Sequence, residues 1–267
     1  MKNKSHPSAN SHLENFTDFL ERKKPFSFVR FSDGETEILH NRFLEINEGK
    51  TTFRGRTFEN KFPAFDAKKF DPRIHQKLRS DLLESATFRS ENFYKGIPTS
   101  HNNAIADREF MLRLNGGYST NMTFADLFLN SNYQNYRSNL VPLFGTFEKI
   151  YIIANYRSKP VGELRKSTLI EVPDNFFSCY DETLSHVMEK LILIESNALV
   201  LSSASSLTNI VGYKLFNERS DLTFIDIGTS VNDLLSLDSR TRSYHAVQGN
   251  ILNNIKYRLS KGYKIKW

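Results

Sequence analysis

The chain has 267 residues, of which 25% are charged and 13% aromatic, and Lys plus Arg outnumber Asp plus Glu by 36 to 30. With 22 phenylalanines, this composition is that of a folded globular protein and excludes an intrinsically disordered chain. A single cysteine, Cys179, excludes an internal disulfide framework and a multi-cysteine zinc site.

The hydropathy pattern bears on where the protein works. No stretch approaches the roughly 18 apolar residues that span a bilayer, and the polar segment 1–10 lacks the apolar core of a secretory signal. We therefore expect a cytoplasmic protein. A net charge of +6 suits an anionic ligand or peripheral association with the inner face of a membrane, but it is too diffuse to indicate nucleic acid.

The first half of the chain alternates helical and extended patterns. We predict a disordered tail over 1–10, followed by a single domain over 11–267. Apolar spacing predicts a first helix that Ser11 caps and Pro25 ends, a second over 36–46 and a third from Asp71-Pro72 through 83. Further helices are predicted over 104–115, 122–130 and 133–143. Strands are predicted over 26–31 and 93–98, a turn over 32–35 and an irregular loop over 49–70.

The second half has a regular strand–helix rhythm. Strands are predicted over 149–154, 168–172, 198–201 and 222–227, and helices over 180–194 and 207–216. Strands that alternate with helices form parallel sheets. The predicted fold is therefore α/β, Rossmann-like, with a mostly parallel sheet flanked by helices.

The first motif is RFSDGE at 30–35. Ligands of parallel α/β sheets bind beyond the carboxyl ends of strands, and Asp33 and Glu35 lie just past such an end. Two carboxylates one residue apart can share a hard divalent cation, and Arg30 can pair with a phosphate. The alternative is structural: Asp33 as a helix N-cap and Glu35 as a first-turn acid favoured by the helix dipole.

The second motif is the run of small residues LSSASS at 201–206, between a strand and a helix. There the backbone N–H groups can approach an anion, and the hydroxyls of Ser203, Ser205 and Ser206 can add donors. This predicts a phosphate or nucleotide site, with a Ser-capped, tightly packed helix start as the equal alternative.

The third motif is FIDIGT at 224–229, followed by Asp233. Asp226 lies near a strand end, where acids face the ligand crevice. The alternative is a turn-forming aspartate before Gly228. The chain has neither a G-x-G-x-x-G nor a P-loop motif, which argues against a standard dinucleotide fold or P-loop NTPase.

In this order the motifs resemble those of the bacterial glycosyltransferases of the GT-D fold. That family carries an R-[FI]-G-D-G-E turn after an N-terminal strand, and here Ser32 stands where the family usually has glycine. The likeness extends over roughly 12–240. It is carried further by a Leu-rich helix at 72–86, a G-I-P segment at 96–98, the segment PDNFFSCYD at 173–181, the small-residue turn at 199–206 and the D-I-G strand end at 226–228.

The resemblance implies a GT-D type fold and sugar transfer from a nucleotide-sugar donor, commonly a UDP-sugar, to a glycan or glycolipid acceptor in surface polysaccharide or glycoprotein assembly. It implies that Asp33 and Glu35 hold a divalent metal, typically Mn²⁺ with Mg²⁺ as the alternative. The family often has His after D-I-G, where this chain has Thr229, and this departure leaves the catalytic base open.

Sugar transfer builds negative charge on the leaving diphosphate and, in an inverting reaction, needs a carboxylate to take the acceptor proton. We expect Arg30, Ser203, Ser205 and Ser206 to contact the donor, and Asp233 or Asp226 to act as the base. A non-catalytic nucleotide-binding or scaffold protein of the same fold is the main alternative. A nucleic-acid-binding protein is a third possible function, but the sequence has no recognisable nucleic-acid-binding motif.

Overall fold

A computed structural model describes residues 9–47, 49–59, 67–98, 104–129 and 132–237. The tail predicted over 1–10 lies outside these residues except for its last two, which begin the first helix. The part of the predicted single domain beyond 237 also lies outside them.

Eight α-helices are assigned within the described residues. They are α1 (Ala9–Glu21), α2 (Asp33–Leu39), α3 (Gln76–Thr87), α4 (Ala104–Leu114), α5 (Tyr133–Asn135), α6 (Val141–Phe144), α7 (Tyr180–Ile192) and α8 (Ser206–Glu218). A π-helical turn, Tyr136–Leu140, joins α5 to α6, and 3₁₀ turns occupy Gly162–Leu164, Phe176–Cys179 and Gly228–Leu235.

The strands form two sheets. They are β1 (Ser27–Arg30), β2 (Leu44–Asn47), β3 (Lys50–Phe53), β4 (Arg56–Glu59), β5 (Lys68–Phe70), β6 (Phe93–Ile97), β7 (Met122–Phe124), β8 (Ile150–Asn155), β9 (Thr168–Val172), β10 (Leu199–Ser203) and β11 (Thr223–Asp226). Seven lie in one sheet in the order β7-β6-β1-β11-β10-β8-β9, with every pairing parallel. The other four form an antiparallel sheet, β4-β3-β2-β5.

Helices cover both faces of the parallel sheet. Alternate strand residues point to opposite faces, so Val29 and Phe224 join a core with α2, α3, α4, α7 and α8, while Phe28 and Ile225 join a second core with α1 and the turns at 133–144 and 228–235. The predicted Rossmann-like α/β fold, with a mostly parallel sheet flanked by helices, is confirmed.

The largest error of the sequence prediction concerns 49–70. In place of an irregular loop, the described part of this segment supplies β3, β4 and β5 of the small antiparallel sheet. The pattern is hidden because all four residues of β4 are exposed, so hydrophobic alternation is absent. The turn between β3 and β4 is Arg54-Gly55, both with positive φ (52° and 70°), which is the backbone of a two-residue hairpin.

Three further boundaries differ from the prediction. The helix expected over 36–46 ends at Leu39, because Asn41 adopts a left-handed φ of 59° and the chain then enters β2. The helix expected to start at Asp71 starts at Gln76, since the Asp71 carboxylate instead accepts the Arg73 N–H (2.9 Å) in a local turn. The segment 122–130, predicted helical, begins with the buried strand β7.

Candidate functional site at the carboxyl end of the parallel sheet

The site lies where β1 and β11 run side by side and their continuations separate. After β1 the chain enters α2 on one face of the sheet, whereas after β11 it enters the 228–235 turn, whose Val231 and Leu235 pack into the core of the other face. Connections that leave adjacent parallel strands to opposite faces open a crevice at the carboxyl ends. The first turn of α2, the end of β11 and the start of α8 surround this crevice.

A buried ion pair joins the two strand ends. The Arg30 Nη2 donates to Asp226 Oδ1 at 2.8 Å, and the Arg30 backbone N–H donates to Asp226 Oδ2 at 3.1 Å. Arg30 Nη1 also donates to the carbonyl of Ala125 (3.2 Å). Burial raises the pKa of Asp226, and the Arg30 guanidinium only partly offsets that rise. The ion pair holds both side chains in place between the ends of the neighbouring strands β1 and β11.

Gly228 leaves the room that this pair needs. Its φ is +44°, and a Cβ at this position would collide with the Arg30 guanidinium. The glycine of the D-I-G segment is thus explained by the arginine that lies against it.

Asp33 and Glu35 occupy the first turn of α2 in different environments. Asp33 is the first helical residue and is exposed, whereas Glu35 is buried. Glu35 Oε2 accepts the N–H of the N-cap residue Ser32 at 3.0 Å, so part of the structural alternative holds. The N-cap is Ser32 and not Asp33.

Glu35 also belongs to the crevice. Its Oε1 accepts the Ser205 hydroxyl at 3.4 Å, which links α2 to the start of α8. Burial raises the pKa of Glu35, and the nearby charge of Asp226 raises it further. A carboxylate under these two influences gains from a cation placed beside it.

The small-residue turn is built by side chains of α8. The Thr208 hydroxyl contacts Ser202 Oγ (2.8 Å) and accepts the Ala204 N–H (3.0 Å), and Asn209 Nδ2 donates to the Arg30 carbonyl (2.8 Å). Ser205, the N-cap, has φ +54° and ψ −143°, a region that residues other than glycine rarely adopt. Backbone strain of this kind marks positions where the surroundings dictate the conformation.

The three predicted donor-binding serines lie together in this turn, at the end of β10 and the start of α8. Ser203 and Ser205 are half-buried, whereas Ser206 is fully buried. The Ser206 hydroxyl has no hydrogen-bond partner within the described residues. The N-terminus of α8 thus faces Glu35 through Ser205.

Asp233 forms an ion pair with a different arginine. Its Oδ2 accepts from Arg137 Nη2 at 2.8 Å, and its side chain is 29% exposed. This ion pair is separate from the one that joins Arg30 to Asp226. The structure therefore brings Arg30, Asp226, Glu35 and the serine turn together. It places Asp33 on the same helical turn as Glu35 and Asp233 in an ion pair of its own.

Lys68 is a neighbour of the site that sequence reasoning missed. It lies half-buried on β5, and its charge lowers the pKa of Glu35 against the two raising influences. Its position at the site could not be predicted, because the sequence pattern does not predict the small sheet that carries it. Lys68 adds a cation to a crevice otherwise rich in carboxylates.

The acidic residues present fit a metal only if a substrate supplies further ligands. Among the described residues, no cluster of three His, Cys, Asp or Glu side chains can hold a metal by itself. Mg²⁺-type cations are instead commonly held by one or two carboxylates together with substrate phosphates. The Asp33–Glu35 turn offers such a partial donor set, and a cation beside Glu35 would offset the influences that raise its pKa.

Comparison with known proteins identifies the fold. No family model and no curated protein matches the chain. Solved structures do: "A New Glycosyltransferase (DUF1792) from Streptococcus sanguinis" has 18% identity and a TM-score of 0.57, with 98% of this chain and 88% of that chain covered. A structure described as "The highly conserved domain of unknown function 1792 has a distinct glycosyltransferase fold" has 17% identity and a TM-score of 0.53, with 96% and 83% covered.

A selenomethionine-substituted structure of the same domain of unknown function also matches, at 17% identity and a TM-score of 0.54, with 96% and 83% covered. At these identities the likeness is one of fold. Separately, none of the helices among the described residues has both the length and the apolar character needed to cross a bilayer.

Proposed function

We propose that this chain is a glycosyltransferase that moves a sugar from a nucleotide-sugar donor, a UDP-sugar in the first instance, to a glycan or glycolipid acceptor of surface polysaccharide or glycoprotein assembly. The observation that carries the proposal is the joining of the acidic first turn of α2 to the start of α8 by the Ser205–Glu35 contact. An acidic turn and a helix N-terminus that border the same crevice suit a metal-bound diphosphate, because the carboxylates can hold the metal and the N–H groups can hold the phosphates. The shared glycosyltransferase fold supports the same conclusion.

Different residues of the crevice would bind the donor and stabilise its leaving group. The N-terminus of α8, with Ser203, Ser205 and Ser206, would hold the diphosphate through backbone and hydroxyl donors. Lys68 would add positive charge where negative charge develops as the glycosidic bond breaks. Because the Arg30 guanidinium is paired with Asp226, Arg30 would mainly hold the side chains at the base of the crevice in place and would not bind phosphate directly.

Asp33 and Glu35 would hold a divalent cation, Mn²⁺ or Mg²⁺, which when bound neutralises charge on the departing diphosphate. Glu35 keeps its helix-capping hydrogen bond in this arrangement through one oxygen and presents the other toward Ser205. Asp33, exposed on the same turn, provides the second carboxylate.

Both candidate bases are in ion pairs with arginines, Asp226 with Arg30 and Asp233 with Arg137. This observation favours a second candidate function, a donor-binding protein of the same fold without transferase activity. Asp226 lies within the crevice and Asp233 is partly exposed, so an inverting reaction would require either carboxylate to exchange its arginine for the acceptor hydroxyl.

The test is consumption of donor from a panel of UDP-, GDP- and CMP-sugars, with Mn²⁺ and with EDTA. The transferase proposal predicts metal-dependent release of one nucleoside diphosphate, reduced at least about 100-fold by Asp33→Asn and by Glu35→Gln, the size of effect typical for loss of electrostatic stabilisation. Glu14→Gln, an exposed acid on α1, is the control and should keep full activity.

Donor binding without release of nucleoside diphosphate, in the presence of a range of glycan acceptors, would favour the non-catalytic candidate. Absence of both binding and turnover across the panel would overturn the proposal. Turnover that is insensitive to EDTA and to both substitutions would retain a transferase but remove the metal site from it.

A further inference from the structure

A second cavity lies on the other side of the first core from the candidate site. It has a volume of about 280 Å³ and lies between the C-terminal ends of α3 and α4 and the start of β6. In parallel α/β sheets helices end at the amino edge of the strands, whereas the candidate site is at the carboxyl edge. Its lining combines the charged residues Arg89, Glu91 and Lys95 with the amide of Asn115 and the aromatic ring of Phe93.

Lys95 is buried in this cavity with an unusual set of partners. The residue is 2% exposed, and its Nζ donates to the carbonyls of Ala86 and Phe88, each at 2.7 Å, at the end of α3. An ammonium group has three hydrogens, so one hydrogen is not used by these carbonyls. Burial, reinforced by the charge of Arg89, lowers the pKa of Lys95 to about 7. Both cationic residues line the cavity, so an anion bound there would offset the unfavourable influence of Arg89 on Lys95.

Asn115 supplies a second, independent indication of a ligand. It is 1% exposed, and its Nδ2 donates to the Gly117 carbonyl at 2.8 Å, which fixes the orientation of the amide. Its Oδ1 is buried and has no hydrogen-bond partner among the described residues. A buried acceptor without a partner is costly, and Asn115 is one of the residues that line the cavity.

Arg89 and Glu91 complete the charge pattern at the mouth of the cavity. Both are exposed residues that line it, and the Arg89 guanidinium lies against Gly116, where a Cβ would displace it. The positive groups favour a carboxylate, whereas Glu91 disfavours a multiply charged anion and favours an amino group or hydroxyl beside it.

We propose that this cavity binds a small carboxylate that also carries a hydroxyl or amino donor, with the carboxylate between Lys95 and Arg89 and the donor on Asn115 Oδ1. The apolar wall at Phe93 accommodates a short carbon skeleton. The site is separate from the proposed transferase site, and its occupancy does not depend on whether the chain transfers a sugar.

The test is an amide NMR titration of the full chain with three probes of similar size: lactate, propionate and 1,2-propanediol. Lactate has both the charge and the donor, propionate lacks the donor, and the diol lacks the charge. We expect lactate to shift the amides of 93–95 and 115–119, propionate to bind about 5- to 10-fold more weakly, and the diol not to bind.

Arg89→Met should weaken lactate binding about 10-fold, because it removes a charge-assisted contact at an exposed position. Arg113→Met, an exposed arginine on α4 that does not line the cavity, is the matched control and should leave binding unchanged. Absence of shifts at saturating lactate would show that the cavity holds only water and would overturn the proposal. Shifts that Arg89→Met does not alter would do the same, because they would place the probe elsewhere.

Discussion

At the scale of single residues, the site depends on a position that carries no functional group. Gly228 has a left-handed φ, and the Arg30 guanidinium lies where its Cβ would be. From sequence alone this glycine is interpreted as part of a turn after Asp226. The structure adds that the same glycine makes space for the partner of Asp226, which explains why the two residues occur together.

Gly228→Ala should therefore destabilise the protein by at least about 3 kcal/mol, because the methyl group displaces Arg30 and leaves a buried carboxylate without its partner. Gly55→Ala is the matched control. Gly55 also has a positive φ (+70°), but apart from its two chain neighbours no residue lies within 4 Å of the place that an alanine methyl group would occupy. This variant should therefore lose only the backbone cost of about 1–2 kcal/mol. Urea unfolding of the two variants measures the difference, and equal losses would contradict a specific contact with Arg30.

Most of the predicted site residues could be located from sequence, because strand ends are recognisable and ligands bind beyond them. Arg30, Glu35 and Asp226 are of this kind. Their arrangement could not be predicted: pairing of Arg30 with Asp226 depends on β1 and β11 being neighbours, although the two residues are 196 positions apart in sequence. The ion pair of Asp233 with Arg137 is also non-local, over 96 positions.

At the scale of elements, the small antiparallel sheet packs Leu44 and Phe70 into the first core, and its β3–β4 hairpin is held by polar contacts at the turn. The backbone N–H of Arg54 donates to Glu37 Oε2 at 3.2 Å, and the Arg54 guanidinium pairs with Asp107 of α4. Glu37 is fully buried and also accepts from Arg42 at 3.1 Å. The turn thus ties β3 and β4 to α2, the helix whose first turn carries Asp33 and Glu35.

Arg54→Ala should loosen the hairpin from α2 and α4 without unfolding the parallel sheet. The expected result is faster amide hydrogen exchange over 50–59, by about 10-fold or more, because buried Asp107 loses a charged partner. Arg56→Ala alters an exposed arginine in the same hairpin and should leave exchange in this segment unchanged. Equal acceleration in the two variants would show that the ion pair does not hold the hairpin.

Prediction of elements succeeded where hydrophobic periodicity was present and failed where tertiary contacts replace it. The strands β8 and β11 are buried and rich in β-branched and aromatic residues, so their positions followed from sequence. The small sheet has an exposed strand, and its hairpin is held by the ion pair of Arg54 with Asp107, two residues 53 positions apart in the chain. Lys68 reaches the site only through this sheet, so neither the sheet nor that residue's position could be inferred.

At the scale of the whole molecule, the free energy of unfolding should depend on pH through two kinds of buried group, whose contributions change with pH in opposite directions. The pKa values of Glu35 and Asp226 are raised, so the folded state binds their protons more tightly than the unfolded chain does. The stability that this proton binding contributes is lost as pH rises above the pKa values of the unfolded chain, near 4. His12 acts in the opposite sense. It is 3% exposed on α1, and its pKa is lowered from 6.5 to about 4 by burial.

For His12 the unfolded chain binds the proton more tightly than the folded chain, so stability falls as pH drops from about 6.5 toward 4. A difference of about 2.5 pKa units corresponds to roughly 3 kcal/mol across that window. His12→Gln, which stays neutral, should lack this loss, whereas His186→Gln, at an exposed position on α7, should retain it. Urea unfolding at intervals from pH 7 to pH 4 gives the comparison for all three proteins. Because Glu35 and Asp226 contribute equally to each of them, the difference between the wild-type and His12→Gln curves isolates the histidine, and parallel curves would show that α1 does not keep His12 neutral when the protein folds.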